Sequence, residues 1–225
     1  MTNFIFSKSS LTAALLAGSM LATPALAVTI EGNVGATTDY IWRGDTQSSG
    51  DASFSGGIDV DLGNGFAVGV WTASLGGNQK AELDEDSANY DPSGSADYEL
   101  DLYGSYGFAL GALSMEVGYI SYKYPGVADS ADDFEDIYVS AGYGPLSVSY
   151  YVDADVDDNT YISIDAEFGL EDDWTLGLHF GQEAFETDPD DDDASISLSK
   201  GDVTFTVSGD EDDDTRAIVS WGTSF

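Results

Sequence analysis

From residue 28 onward, long acidic connections alternate with very tight turns, and the segments between them place apolar side chains at every second position. The long connections lie near residues 44 to 52, 76 to 96, 124 to 133, 153 to 160, 182 to 193 and 209 to 215. The short ones are Gly63-Asn64-Gly65, Ala109 to Ala112, Gly144-Pro145, Glu171 to Asp173 and Lys200-Gly201-Asp202. A strand pair needs only a minimal turn on the side where nothing else is asked of it, and membrane barrels separate short turns from long loops in this way. A soluble sandwich has no reason to keep that parity. The pattern predicts an all-β fold: a closed, antiparallel, up-and-down transmembrane β-barrel of about twelve strands.

Residues 1–27 stand apart. Lys8, the apolar run from Leu11 to Ala22 and the small-residue end Ala25-Leu26-Ala27 read as a cleaved secretory signal peptide. That run is too short for a spanning helix, and no later stretch approaches twenty apolar residues. Residues 28–225 then form one barrel domain, with roughly 16 residues for each strand and its connection. With no cysteine in the chain, disulfides and thiolate metal sites are excluded.

The period is two throughout. Val28, Ile30, Val34, Ala36, Tyr40 and Trp42 alternate with Glu31, Asn33, Thr37, Asp39 and Arg43, which extends the first strand through Arg43. Phe54, Ile58 and Val60 oppose Asp59 and Asp61; Leu100 and Leu102 oppose Glu99 and Asp101; Val117 opposes Glu116. Further on, Ile162 and Ile164 oppose Asp165 and Glu167, and Leu178 and Phe180 flank His179. The segment from Phe66 to Leu75 is apolar on both parities and its faces stay unassigned. Twelve strands enclose a lumen wider than side chains fill, so the apolar stripe is expected to face lipid. Aromatics near strand ends suit two interfacial girdles: Phe66, Phe108, Tyr143, Phe168, Trp174 and Phe225 toward the turns, Tyr40, Trp42, Phe54, Tyr150 and Phe180 toward the loops.

The stretch Thr37-Thr38-Asp39-Tyr40-Ile41-Trp42-Arg43-Gly44-Asp45-Thr46-Gln47, with Gly56-Gly57-Ile58-Asp59 and Gly65 to Trp71 after it, resembles the opening of the TorF-family porins of bacterial outer membranes. The resemblance covers roughly residues 30 to 75. It implies an outer-membrane barrel of even strand number with a transport role, and brings no catalytic residue. The closing Trp221-Gly222-Thr223-Ser224-Phe225 also resembles the C-terminal signal recognised by barrel-insertion machinery, with Trp221 and Phe225 as its aromatics.

Without Lys8, five basic side chains face 42 acidic ones. Such a chain does not bind nucleic acid through phosphates. The loop carboxylates suit a hydrated exterior, or weak divalent-cation association that bridges to lipopolysaccharide phosphates. Asp153 to Asn159 begins like a calcium loop, but Asp158 stands where glycine is required and Ile164 where the closing glutamate would be, so no metal ligand and no cofactor is expected.

By parity the lumen receives Asp39, Asp59, Asp61, Glu99, Asp101, Glu116, Asp165 and Glu167 against Arg43, His179 and Arg216. A wall of one sign concentrates counter-ions, so the expectation is a porin-like pore that prefers cations. Two readings compete with it: carboxylates that pair with Arg43 in a plugging network, and a non-conducting adhesin, receptor or anchor acting through its loops. The 76–96 connection is long enough to fold inward. Arg43 lies about 13 Å along the strand from Asp39, too far for a pair within it, and partnership with Asp59 or Asp61 stays open. The lone His179 has no nucleophile motif beside it, and no enzyme is expected. Oligomeric state is not legible. N-terminal sequencing of exported protein should return Val28 as the first residue; an uncleaved chain would remove the export reading.

Overall fold

The computed structural model describes residues 28–76, 97–125, 133–154, 159–185, 190–210 and 215–225. The expected signal segment, almost all of the 76–96 connection, Asp84-Glu85-Asp86, Asp129 and Asp132, and the calcium-loop-like Asp155 to Asp158 lie outside the described residues. The strands are β1 (Thr29–Thr37), β2 (Ile41–Trp42), β3 (Asp45–Thr46), β4 (Ser53–Gly63), β5 (Phe66–Ser74), β6 (Tyr98–Leu110), β7 (Leu113–Lys123), β8 (Phe134–Tyr143), β9 (Leu146–Asp153), β10 (Thr160–Gly169), β11 (Trp174–Ala184), β12 (Asp191–Lys200), β13 (Val203–Asp210) and β14 (Thr215–Ser224). Twelve of them form a closed barrel in which sequence neighbours are also spatial neighbours, and β2 and β3 form a separate two-stranded sheet.

Closure is made by β14 returning to β1. The ladder runs antiparallel from Asn33 opposite Ser224 to Thr37 opposite Ser220. Gly32 and Phe225 extend it by exchanging backbone hydrogen bonds of 3.0 and 2.9 Å. This joint leaves the barrel without a free edge, the condition for placing strands in hydrocarbon.

The period-two stripe lies on the outside. Ile30, Phe54, Ile58, Leu102, Ile137, Ile164, Phe205 and Val219 are all exposed, while Glu99, Asp101, Glu116, Ser140, Ser149 and Ser163 are buried. An apolar belt around a monomer far exceeds the patches that soluble proteins expose. The segment whose faces the alternation left undecided is settled by pairing: Phe66 and Val68 on β5 point out, whereas Trp71 and Ala73 point in. Trp71 sits between Gly57 of β4 and Asp101 of β6, and the missing side chain at Gly57 leaves room for its indole.

Glycine serves the interior in one recurring way. Asp59, Gly69 and Tyr103 stand in register on β4, β5 and β6, and the Tyr103 phenol crosses Gly69 to donate to Asp59 at 2.5 Å. A Cβ at Gly69 would fall into the Tyr103 ring. Tyr161 on β10 likewise passes over Gly181 on β11 to reach Asp193 on β12 at 2.9 Å. Tyr138 lies over its register partner Gly118 and donates to Glu116 at 2.7 Å. Each phenol satisfies a carboxylate that would otherwise be costly to bury.

The first strand departs from expectation. It ends at Thr37, not Arg43, and residues 38–52 turn inward with β2 and β3. Tyr40, expected in the outer girdle, is 5% exposed, and Trp42 packs against the buried cluster. Both belong to the interior. Phe54, Tyr150 and Phe180 at the loop ends are exposed, as a girdle requires.

Substituting Gly69→Val should force Tyr103 off Asp59 and cost about 1–3 kcal/mol. Urea unfolding of the bilayer-embedded barrel reads this, and a midpoint equal to wild type would remove the packing role given to Gly69.

Candidate functional site

The β2–β3 hairpin is built by a single carboxylate. Asp39 accepts hydrogen bonds from Thr46 Oγ1 at 2.5 Å, Ser48 Oγ at 3.0 Å and the Gly50 amide at 3.3 Å. Ser48, fully buried, also accepts the Tyr40 amide at 2.9 Å, and the Gln47 amide donates to the Tyr40 carbonyl at 2.6 Å. Arg43 and Gly44 form the two-residue turn between β2 and β3, with φ of 49° and 90°. Two successive positive φ values are the type I′ pattern that suits a tight hairpin. Gly44 is required twice, because a Cβ there would also stand 2.8 Å from the Asp193 Cβ.

The hairpin crosses the lumen from β1 toward the opposite wall. At its base Tyr40 donates to Glu99 at 3.1 Å and meets Trp71 edge-on at 5.7 Å. Trp42 packs on Tyr122 and Phe134 with ring centroids 5.8 and 5.5 Å apart. Arg43 then bridges two strands: Nη2 donates to Asp136 on β8 and Nη1 to Glu183 on β11, each at 2.7 Å. Its guanidinium lies 4.4 Å from the Trp42 ring centroid, 4.5 Å from Tyr161 and 5.4 Å from Tyr151. On the near side Arg216 reaches Asp39 at 3.4 Å. All these wall residues lie toward the long-loop ends of their strands, so the hairpin occupies the long-loop end of the lumen.

Burial alone would lower the Arg43 pKa, but Asp136 and Glu183 more than offset it and the pKa is raised above its ordinary value. The guanidinium therefore stays charged. A buried ion pair of this kind adds little over an apolar filling, yet removing one partner strands a charge at a cost of about 3–5 kcal/mol. It fixes position more than it adds stability.

Beside it, His179 on β11 lies between two carboxylates. Nδ1 is 2.6 Å from Asp165 and Nε2 is 2.9 Å from Asp193, whose other oxygen accepts the Tyr161 hydroxyl at 2.9 Å. Both ring nitrogens are engaged, which leaves no nitrogen to act as a base. The Tyr161 hydroxyl also lies 3.1 Å from Nε2 but donates to Asp193, and the Ser163 hydroxyl donates to Asp165 at 3.2 Å.

The residues expected at the lumen therefore fall into distinct places. Asp39, Arg43, Glu99 and Arg216 belong to the hairpin and its supports. Asp101 is buried beside them, Asp165 and His179 form the wall network, and Asp59 and Glu116 are held by Tyr103 and Tyr138. Asp61 is exposed and accepts the Gly63 amide at 2.7 Å, so it caps its own turn. Glu167 is exposed near the opposite end of β10. Arg43 joins neither Asp59 nor Asp61, because it is not on a barrel strand. Its actual partners, Asp136 and Glu183, were not among the candidate residues, although both follow the polar parity of their strands. Asp193, counted among the loop acids, sits inside β12. Trp221 is exposed on the outer face of β14, and the Phe225 ring covers Gly32.

A family model described as "Bacterial protein of unknown function (Gcw_chp)" matches residues 21–217. The chain belongs to this family. Its description gives no activity and does not carry the TorF name. Comparison with curated proteins returned no match. Among solved structures, one titled "KdgM porin in complex with disordered oligogalacturonate" is similar over 88% of this chain and 98% of its own, with a TM-score of 0.50 at 11% identity. A membrane protein from a study of in-meso crystallization has a TM-score of 0.50 at 9% identity, covering 87% of this chain and 83% of its own. A mutant of the Rhodopseudomonas blastica porin covers 88% of this chain and all of its own at 14% identity, with a TM-score of 0.35. At these identities the first two likenesses speak for the fold of the Gcw_chp chain, a porin-like barrel.

Replacing Asp39 by Ala removes the acceptor shared by Thr46, Ser48 and Gly50, a loss of about 1–3 kcal/mol within the hairpin. Hydrogen exchange at the Gln47 amide should accelerate by about tenfold or more; unchanged exchange would show that Asp39 does not hold the hairpin.

Proposed function

We propose that this Gcw_chp protein is an integral outer-membrane, porin-like channel for passive diffusion of small solutes, selective for cations and narrowed at its outer end by the β2–β3 hairpin. The observation that carries the reading is an interior lined by carboxylates within an apolar, outward-facing belt. Asp59, Glu99, Asp101, Glu116, Asp136, Asp165, Glu183 and Asp193 face Arg43, Arg216 and His179 in the described interior, an excess of negative charge that concentrates cations and repels anions. The porin-like fold and the TorF-like opening support a transport role. The structurally similar porin solved with oligogalacturonate is no guide to substrate, because an interior of this sign disfavours a polyanionic sugar. Catalysis is not part of the proposal, since both His179 nitrogens are held by carboxylates, Asp165 and Asp193.

Export by the 1–27 segment, insertion through the Trp221 and Phe225 ending, and contact of the acidic loops with lipopolysaccharide through weakly held divalent cations complete the reading. The hairpin that crosses the lumen also favours a second one: a barrel that does not conduct and serves as adhesin, receptor or anchor through its loops.

Planar-bilayer recording separates them. Wild type should conduct weakly with a reversal potential on the cation side, favouring potassium over chloride by roughly tenfold. Replacing residues 41–46 with Gly-Gly should raise the single-channel conductance and keep the sign of selectivity. An anion-selective channel defeats the proposal. If neither form conducts, the non-conducting reading takes its place.

A further inference from the structure

We infer that the outer lumen wall carries a recognition site for guanidinium-bearing solutes, and that Arg43 occupies it as an internal ligand. The guanidinium is gripped by Asp136 on β8 and Glu183 on β11, each at 2.7 Å through a different Nη atom. Between those strands, Tyr151 on β9 and Tyr161 on β10 present their rings to it at 5.4 and 4.5 Å. Four consecutive wall strands thus supply four of its contacts, and only Trp42 travels with the hairpin. If the hairpin withdrew, the wall half of the site would remain.

The chemistry selects the ion. Two carboxylates reaching separate nitrogens, with aromatic faces alongside, fit a planar fork with several donors; an ammonium is a compact point charge that meets this geometry poorly. The site also favours a cation, because the side chains of Asp136 and Glu183 are only 1% and 18% exposed, and two charged carboxylates there without a counter-charge are costly. A cavity of about 150 Å³ lies directly against the guanidinium, bounded also by Asp153, Asn159 and Thr160 at the loop ends of β9 and β10. A solute held in this cavity would stand next to the partners of Arg43.

The hairpin depends on the wall for its place. The hairpin pairs Ile41 with Thr46 and Trp42 with Asp45 and adds one hydrogen bond from the Gln47 amide to the Tyr40 carbonyl, and a two-stranded element of that size is marginal without its wall contacts. Because it is intramolecular, Arg43 competes at an effective concentration on the order of millimolar. Under the channel reading above, on which only this consequence rests, a guanidinium solute that displaces Arg43 frees the hairpin and widens the mouth.

The test uses the processed chain refolded in detergent. Arg43→Gly empties the site while keeping the turn, since glycine adopts the φ of 49° without strain. Calorimetric titration with methylguanidinium should show saturable binding to Arg43→Gly at least about tenfold tighter than methylammonium or potassium at equal ionic strength. Wild type should bind at least about tenfold more weakly than the variant, and adding Asp136→Asn should abolish the difference between cations. Equal binding of all three cations, or equal affinity in wild type and variant, overturns the site. If Arg43→Gly does not fold, Arg43→Gln is read in the same way. Should neither fold, exchange at the wild-type Gln47 amide must quicken with methylguanidinium and not with methylammonium, or the inference fails. Since binding is measured without conductance, a silent barrel would sink the channel reading and leave this site standing.

Discussion

The antiparallel joint between β1 and β14 is the constraint on which this molecule depends. Once β14 returns to β1, every barrel strand has neighbours on both sides and no row of backbone donors and acceptors is left for lipid to meet. Only then can the apolar residues of each strand face outward together. The joint relies on glycine where it is tightest: Gly32 lies beneath the Phe225 ring while its backbone exchanges hydrogen bonds with Phe225.

Closure creates a second demand. A ring of twelve strands is too wide for its own side chains to fill, and the polar face turned inward carries many acids. Two devices meet that demand. Tyrosines lying across glycines deliver phenol donors to Asp59, Glu116 and Asp193 along the wall. At the outer end the chain supplies a filler of its own, the β2–β3 hairpin, whose Arg43 neutralises acids from the far side. The first device puts donors against acceptors without adding charge, and the second brings a cation, Arg43, to acids of the far wall while Thr46, Ser48, Gly50 and Arg216 hold its own Asp39.

Most of the strand pattern is legible because a half-solvated strand must alternate, and the barrel class and strand number follow from that parity together with the regular exchange of long connections and tight turns. The same rule failed at residues 38–43. Asp39, Tyr40, Ile41, Trp42 and Arg43 keep the alternation because β2 is itself extended, and a local period cannot tell a strand in the wall from one inside it. Arg43, which the alternation puts at the end of the first strand, and Gly44, which it puts at the start of a loop, form together a hairpin turn flanked by residues that pair. Asp136 and Glu183 are not legible for a different reason: nothing near them in sequence distinguishes an acid that meets Arg43 from one that meets water.

What the sequence determined by itself was the inside-out amphipathy: which side chains share a face, how many times the chain crosses, and a net charge that repels anions. Those are local or additive properties. Which acids are neutralised, which way Trp71 points and what occupies the outer lumen were decided only by tertiary structure. They depend on register between strands, and on residues more than ninety positions apart, such as Arg43 and Asp136, meeting across the closed ring.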